Sequence, residues 1–147
     1  MSDDVGMNDW ADLRLMPRID VETFCSELVD GRDRPGIVTD LSPEGVRIER
    51  PYGGGPTPRD IVLELEMPEI DEVIWARGEV CFDQVRQAPA GQGGALGLLR
   101  TTGIRLVSAA VRDLRLLREC VIETHRRNRA RDRADELLLD ASCYARG

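Results

Sequence analysis

The hydrophobic period of this chain changes once, near Ser108, and that change limits what it can fold into. Before it, apolar and polar residues alternate in short runs, the pattern of half-buried strands. Such runs occupy 19–28, 36–39, 46–50, 61–67, 73–85 and 98–107. Between them lie turn-forming stretches: Asp30-Gly31, the segment 40–45, the 51–58 loop with three consecutive glycines, and APAGQGGA at 88–95. A bend is expected near Gly78. After Ser108, a candidate N-cap, Val111, Leu114, Leu117 and Val121 recur at three- and four-residue steps and give one apolar helical face. The expectation is a mainly β chain, a six-stranded antiparallel barrel with a C-terminal α-helix packed on an open end.

With 147 residues, 41% of them apolar and 32% charged, the chain has room for one globular domain plus tails. Residues 1–13 carry four aspartates and little periodicity, so they read as a flexible acidic arm in which Trp10 is a candidate contact. Residues 14–125 read as the domain and 126–147 as an arginine-rich tail. No apolar run approaches the roughly 20 residues of a membrane helix, and the first residues are acidic rather than basic then apolar. A cytoplasmic protein without membrane insertion is expected.

All 20 basic residues are arginine, as GC-rich codon usage would give, and the net charge is −7. That charge argues against the whole protein being a nonspecific nucleic-acid binder, although one local patch can still hold an anion. Cys25, Cys81, Cys120 and Cys143 are far apart, and His125 is the only imidazole. Metal, thioredoxin-like and nucleophilic readings therefore lack their residues, and neither an enzyme nor a cofactor is expected. Cys25 and Cys81 fall in strand-like runs and read as small buried hydrophobes.

Two motifs carry chemistry. Arg14 and Arg18 lie four apart, and Pro17 keeps the segment extended, so the two guanidinium groups point the same way about 13 Å apart. Guanidinium is permanently charged and planar, and it grips phosphate or the O6/N7 edge of guanine in a fork. Asp40, 22 residues after Arg18, opens Asp-x-Ser-x-x-Gly. Its carboxylate can accept from guanine N1–H and the N2 amino group. Ser42 supplies a small donor and acceptor, and Gly45 permits positive φ and close ligand approach. A strand pair over 19–39 returns the chain, so both motifs can share one rim of the barrel.

This constellation resembles the PilZ domain, with Arg14, Pro17, Arg18 and Ile19 followed by Asp40, Ser42 and Gly45. Ala76-Arg77-Gly78-Glu79-Val80 is similar to the family's Gly-x-Val strand, and Thr102-Gly103-Ile104-Arg105-Leu106 to its closing strand, with Leu106 in place of the usual aromatic. The resemblance covers about residues 14–121. It implies a PilZ-type barrel that binds cyclic di-GMP through Arg14, Arg18, Asp40, Ser42 and Gly45, with the N-terminal segment folding over the nucleotide and signalling to a protein partner. Leu13 stands where many members carry a further arginine, which implies one nucleotide rather than an intercalated pair. The alternative is a ligand-independent interaction adaptor, and either a monomer or a homodimer is compatible with the helix face. The arginine run at 126–133 reads as a solvated, frayed helix end, with a nucleic-acid contact as the lesser reading. The glycine loops lack the Lys-Ser/Thr of a phosphate loop and read as connections.

Overall fold

The computed structural model describes residues 17–56, 58–89 and 97–145, with side chains described as far as Leu139. Arg14, the expected arm at 1–13 and the centre of the 88–95 loop lie outside the described residues. Six strands form a closed barrel: β1 (Ile19–Val29), β2 (Arg32–Leu41), β3 (Gly45–Pro51), β4 (Asp60–Glu66), β5 (Val73–Gln87) and β6 (Leu98–Ala109). They are ordered β1-β2-β3-β6-β5-β4, and β4 closes on β1. Each neighbouring pair is antiparallel. One helix follows, α1 (Val111–Ala145). No described helix is long and apolar enough to cross a membrane.

Alternation sets the interior. Ile61, Leu63 and Leu65 of β4 are buried while Val62 between them is 40% exposed, because successive side chains face opposite sides of the sheet. Cys25 and Val29, Val46 and Ile48, Ile74 and Ala76, and Ile104 fill the lumen from the other strands. Asp30 and Gly31 both have positive φ, which gives the β1–β2 hairpin the tight turn that matches strand twist. The β5–β6 register shifts twice, with Val107 the extra residue of β6 opposite Arg77/Gly78 and Cys81 the extra residue of β5 between Val80 and Phe82.

Two charged side chains also point inward. Glu27 is fully buried and pairs with the guanidinium of Arg50, itself 8% exposed. Beside them Arg100 forks onto Asp83 at 2.8 and 2.6 Å, donates to the Gly55 carbonyl and lies over the Tyr52 ring. Burial, then the neighbouring Arg100, pull the Arg50 guanidinium below its ordinary pKa. The four charges balance, as buried ions require.

Helix α1 covers the barrel differently from its sequence pattern. Leu117 and Val121 are fully buried and Cys120 nearly so, but Val111 and Leu114 are 72% and 41% exposed. The inner face starts instead at Asp113, whose carboxylate accepts the Trp75 amide at 3.1 Å and fixes the first turn to β5. The cap position also moves: Ser108 belongs to β6, and the first helical bond runs from the Leu114 amide to the Ala110 carbonyl. Beyond His125, where fraying is expected from sequence, the helix continues to Ala145. Arginine, alanine and leucine make up twelve of the twenty residues 126–145, and all three are strong helix formers.

Candidate functional site

Strand β2 bulges between Val38 and Asp40, where its register against β3 shifts. The shift brings Asp40 to the end of the strand, opposite Arg47 of β3 and opposite Asp20 of β1. Arg18, just before β1, reaches across so that its guanidinium lies 3.6 Å from the Asp40 carboxylate. The arginine side chain is 70% exposed and Asp40 only 17%, so the carboxylate is fixed and the arginine can leave.

The turn after Asp40 is built by Ser42. Its hydroxyl accepts from the Gly45 and Glu44 amides at 3.1 and 3.4 Å and lies 3.3 Å from the Gly45 carbonyl, to which the Ser42 amide donates at 3.0 Å. Ser42 is buried, and its oxygen shapes the turn rather than standing free as the sequence reading has it. The Glu44 carbonyl accepts the Leu106 amide at 2.8 Å, which docks the turn onto β6. Gly45 departs from expectation in a similar way. It does not have positive φ; a Cβ there would lie 3.0 Å from the Ile104 carbonyl oxygen. Glycine is needed because β6 passes so close.

Arg18, Asp40, Ser42 and Gly45 therefore meet, as the sequence predicts, on one cavity of about 290 Å³. Val46, Cys81, Phe82, Gly103 and Ile104 also line it. A second hollow of about 330 Å³ shares Arg47 and Phe82 and runs on past Gln84 and Arg86. Joined, the two form a groove in the size range of small-molecule sites. Arg18, Arg47 and Arg105 line the first cavity with Asp40 and Glu44, and Glu79 pairs with Arg105, so three guanidinium groups stand against three carboxylates. Arg105 bonds Glu79 at 2.7 Å, which holds that carboxyl below the usual range.

Phe82 was not singled out by sequence. Its ring lies directly over Gly103, and a Cβ at Gly103 would be 2.0 Å from the nearest ring carbon. The Arg47 guanidinium approaches the ring centroid to 5.7 Å. The ring is still 40% exposed, and it presents an aromatic surface to the cavity. Cys81, expected to be buried, is the extra residue of the bulge between Val80 and Phe82 and is exposed on the cavity wall. The bulge turns it out of the alternation that sequence reasoning relies on.

No family model and no curated protein matches the chain. Solved structures do. Similarity to the Bacillus subtilis inhibitor of motility MotI/DgrA has a TM-score of 0.62 at 14% identity, covering 78% of this chain and 52% of that one. The chain thus spans about half the length of MotI/DgrA. The PilZ domain of YcgR from Escherichia coli, solved with c-di-GMP, matches with a TM-score of 0.59 at 17% identity over 82% of this chain and 95% of that one. PlzA of Borreliella burgdorferi, in complex with c-di-GMP, matches with a TM-score of 0.55 at 8% identity over 85% of this chain and 58% of that one. At these identities the likeness establishes the fold, and the fold is of the PilZ type.

Proposed function

We propose that this PilZ-type barrel is a non-catalytic receptor that binds one cyclic di-GMP in the Arg18–Asp40 cavity. The observation that carries the reading is the convergence of Arg18, Asp40, Ser42 and Gly45 on one arginine-lined groove. Cyclic di-GMP has two phosphodiesters and two guanines. Asp40 accepts from the N1–H and N2 edge of one guanine, while Arg18 turns from Asp40 to a phosphodiester, joined by Arg14. That exchange is cheap, because an ion pair at 3.6 Å whose guanidinium is 70% exposed contributes about 0–1 kcal/mol. The Phe82 ring, 40% exposed with the Arg47 guanidinium over it, offers aromatic contact to a purine. Ser42 and Gly45 contribute by holding the turn in shape.

Binding changes the arrangement of the N-terminal arm, and a cytoplasmic protein partner reads the altered surface. Replacing Arg14 and Arg18 together by alanine should lower affinity at least about 100-fold, since two charge-assisted contacts are lost, with an unchanged far-ultraviolet spectrum. Unchanged affinity in the folded double variant would show that the site is elsewhere. One observation favours the ligand-independent adaptor: Arg18 and Arg105 are already paired with Asp40 and Glu79. That reading predicts no thermal shift at saturating nucleotide.

A further inference from the structure

We propose that the distal half of α1 is a self-association surface on which a second copy of this chain packs antiparallel. A helix of 35 residues is about 52 Å long, yet the barrel occupies only its beginning. The buried positions are Asp113, Leu117, Cys120 and Val121, and the Arg127–Glu69 pair at 2.5 Å is the most distal contact with the barrel among the described residues. From Arg129 to Leu139 every side chain is exposed, and Leu137, Leu138 and Leu139 are 69%, 68% and 67% exposed. Helices in water owe most of their stability to packing of one face, and this stretch is covered by nothing among the described residues.

The spacing supplies a seam. Ala130, Ala134, Leu137, Ala141 and Tyr144 follow at steps of four, three, four and three, the repeat of paired helices, with Leu138 beside it. Small residues alternating with a large one let two helices approach closely. Charge then selects both the occupant and its direction. Residues 126–133 hold five arginines and one aspartate, whereas Asp135, Glu136 and Asp140 follow without a base between them. Parallel copies would set arginine against arginine. Antiparallel copies set each basic block on the other's acidic one. With Ala134 opposite Leu137 of the second copy, position 133 of one helix and position 140 of the other both flank the seam, a basic residue across from an acidic one. A nucleic acid would meet the same acidic block and be repelled by it, so a second copy fits the surface better than a polyanion.

Sedimentation velocity of the full chain tests this. A dimer is expected at concentrations up to about 100 µM, dissociating on dilution and weakening as salt screens the flanking charges. Leu137→Glu should yield a monomer whose barrel melts as before. Arg133→Asp and Asp140→Arg should each weaken association about tenfold, and the two together should restore it. A chain that stays monomeric throughout, a dimer indifferent to Leu137→Glu, or a paired charge swap that fails to restore association would each overturn the proposal.

Discussion

Gly103→Ala tests whether the site's aromatic wall is held as described. An added Cβ would lie 2.0, 2.4 and 2.7 Å from three carbons of the Phe82 ring, where ordinary contact begins near 3.4 Å. The ring must withdraw by about 1.5 Å or swing out, because an aromatic ring does not compress. Phe82 is 40% exposed, so its covered part is of the order of 100–150 Å². Complete release would cost at most about 4 kcal/mol, and partial repacking reduces that to about 1–2 kcal/mol. Alanine in place of a strand glycine returns about 0.5–1 kcal/mol through backbone entropy. The net expectation is a loss of about 1 kcal/mol, a fall of about 2–4 °C in Tm. In a Phe82→Ala background the clash is absent, so Gly103→Ala should be neutral or stabilising. Urea denaturation of the wild type, the two single variants and the double variant closes the cycle, with an expected coupling of about 1–2 kcal/mol. Additivity within about 0.5 kcal/mol would refute the placement of the ring.

Two further predictions concern the barrel interior. Arg50→Ala leaves the carboxylate of fully buried Glu27 without its partner and should cost about 3–5 kcal/mol, whereas Glu27→Leu with Arg50→Met should fall within about 2 kcal/mol of wild type by denaturant titration. Burial pushes the Cys25 thiol from 9.0 up to about 11. Between these values the unfolded chain has lost the proton that the folded one keeps, so stability falls as pH rises, by at most about 3 kcal/mol. A Cys25→Ala variant should show a correspondingly flatter melting profile from pH 9 to 11, and an identical slope would contradict the assignment.

Much of the barrel can be read from local pattern alone, because alternation and turn chemistry are local properties. Ile61, Leu63 and Leu65 against Val62, and the Asp30-Gly31 turn, need no tertiary information. The four described motif residues also come together as their spacing implies, since one hairpin suffices to return Asp40 to Arg18. What eluded sequence depends on register. Phe82 meets Gly103 only because a bulge at Cys81 shifts β5 against β6, and no composition signal marks that bulge. Gly45 reads as a turn glycine, but its constraint comes from the Ile104 carbonyl some sixty residues away in sequence. Glu27 looks like a surface charge until Arg50 is seen inside the same lumen. The full length of α1 escapes sequence reading because the face that packs on the barrel ends at Val121, and beyond it only helix propensity supports the coil.

The central claim is that the Arg18–Asp40 cavity receives cyclic di-GMP. Isothermal titration of the full chain with cyclic di-GMP, alongside GTP and cyclic di-AMP, tests it most directly. The account predicts saturable heat for cyclic di-GMP alone, at one nucleotide per chain, and its loss when Asp40 is replaced by alanine. Two nucleotides per chain would contradict the stoichiometry, and no heat at all, or equal heat in Asp40→Ala, would contradict the receptor reading itself.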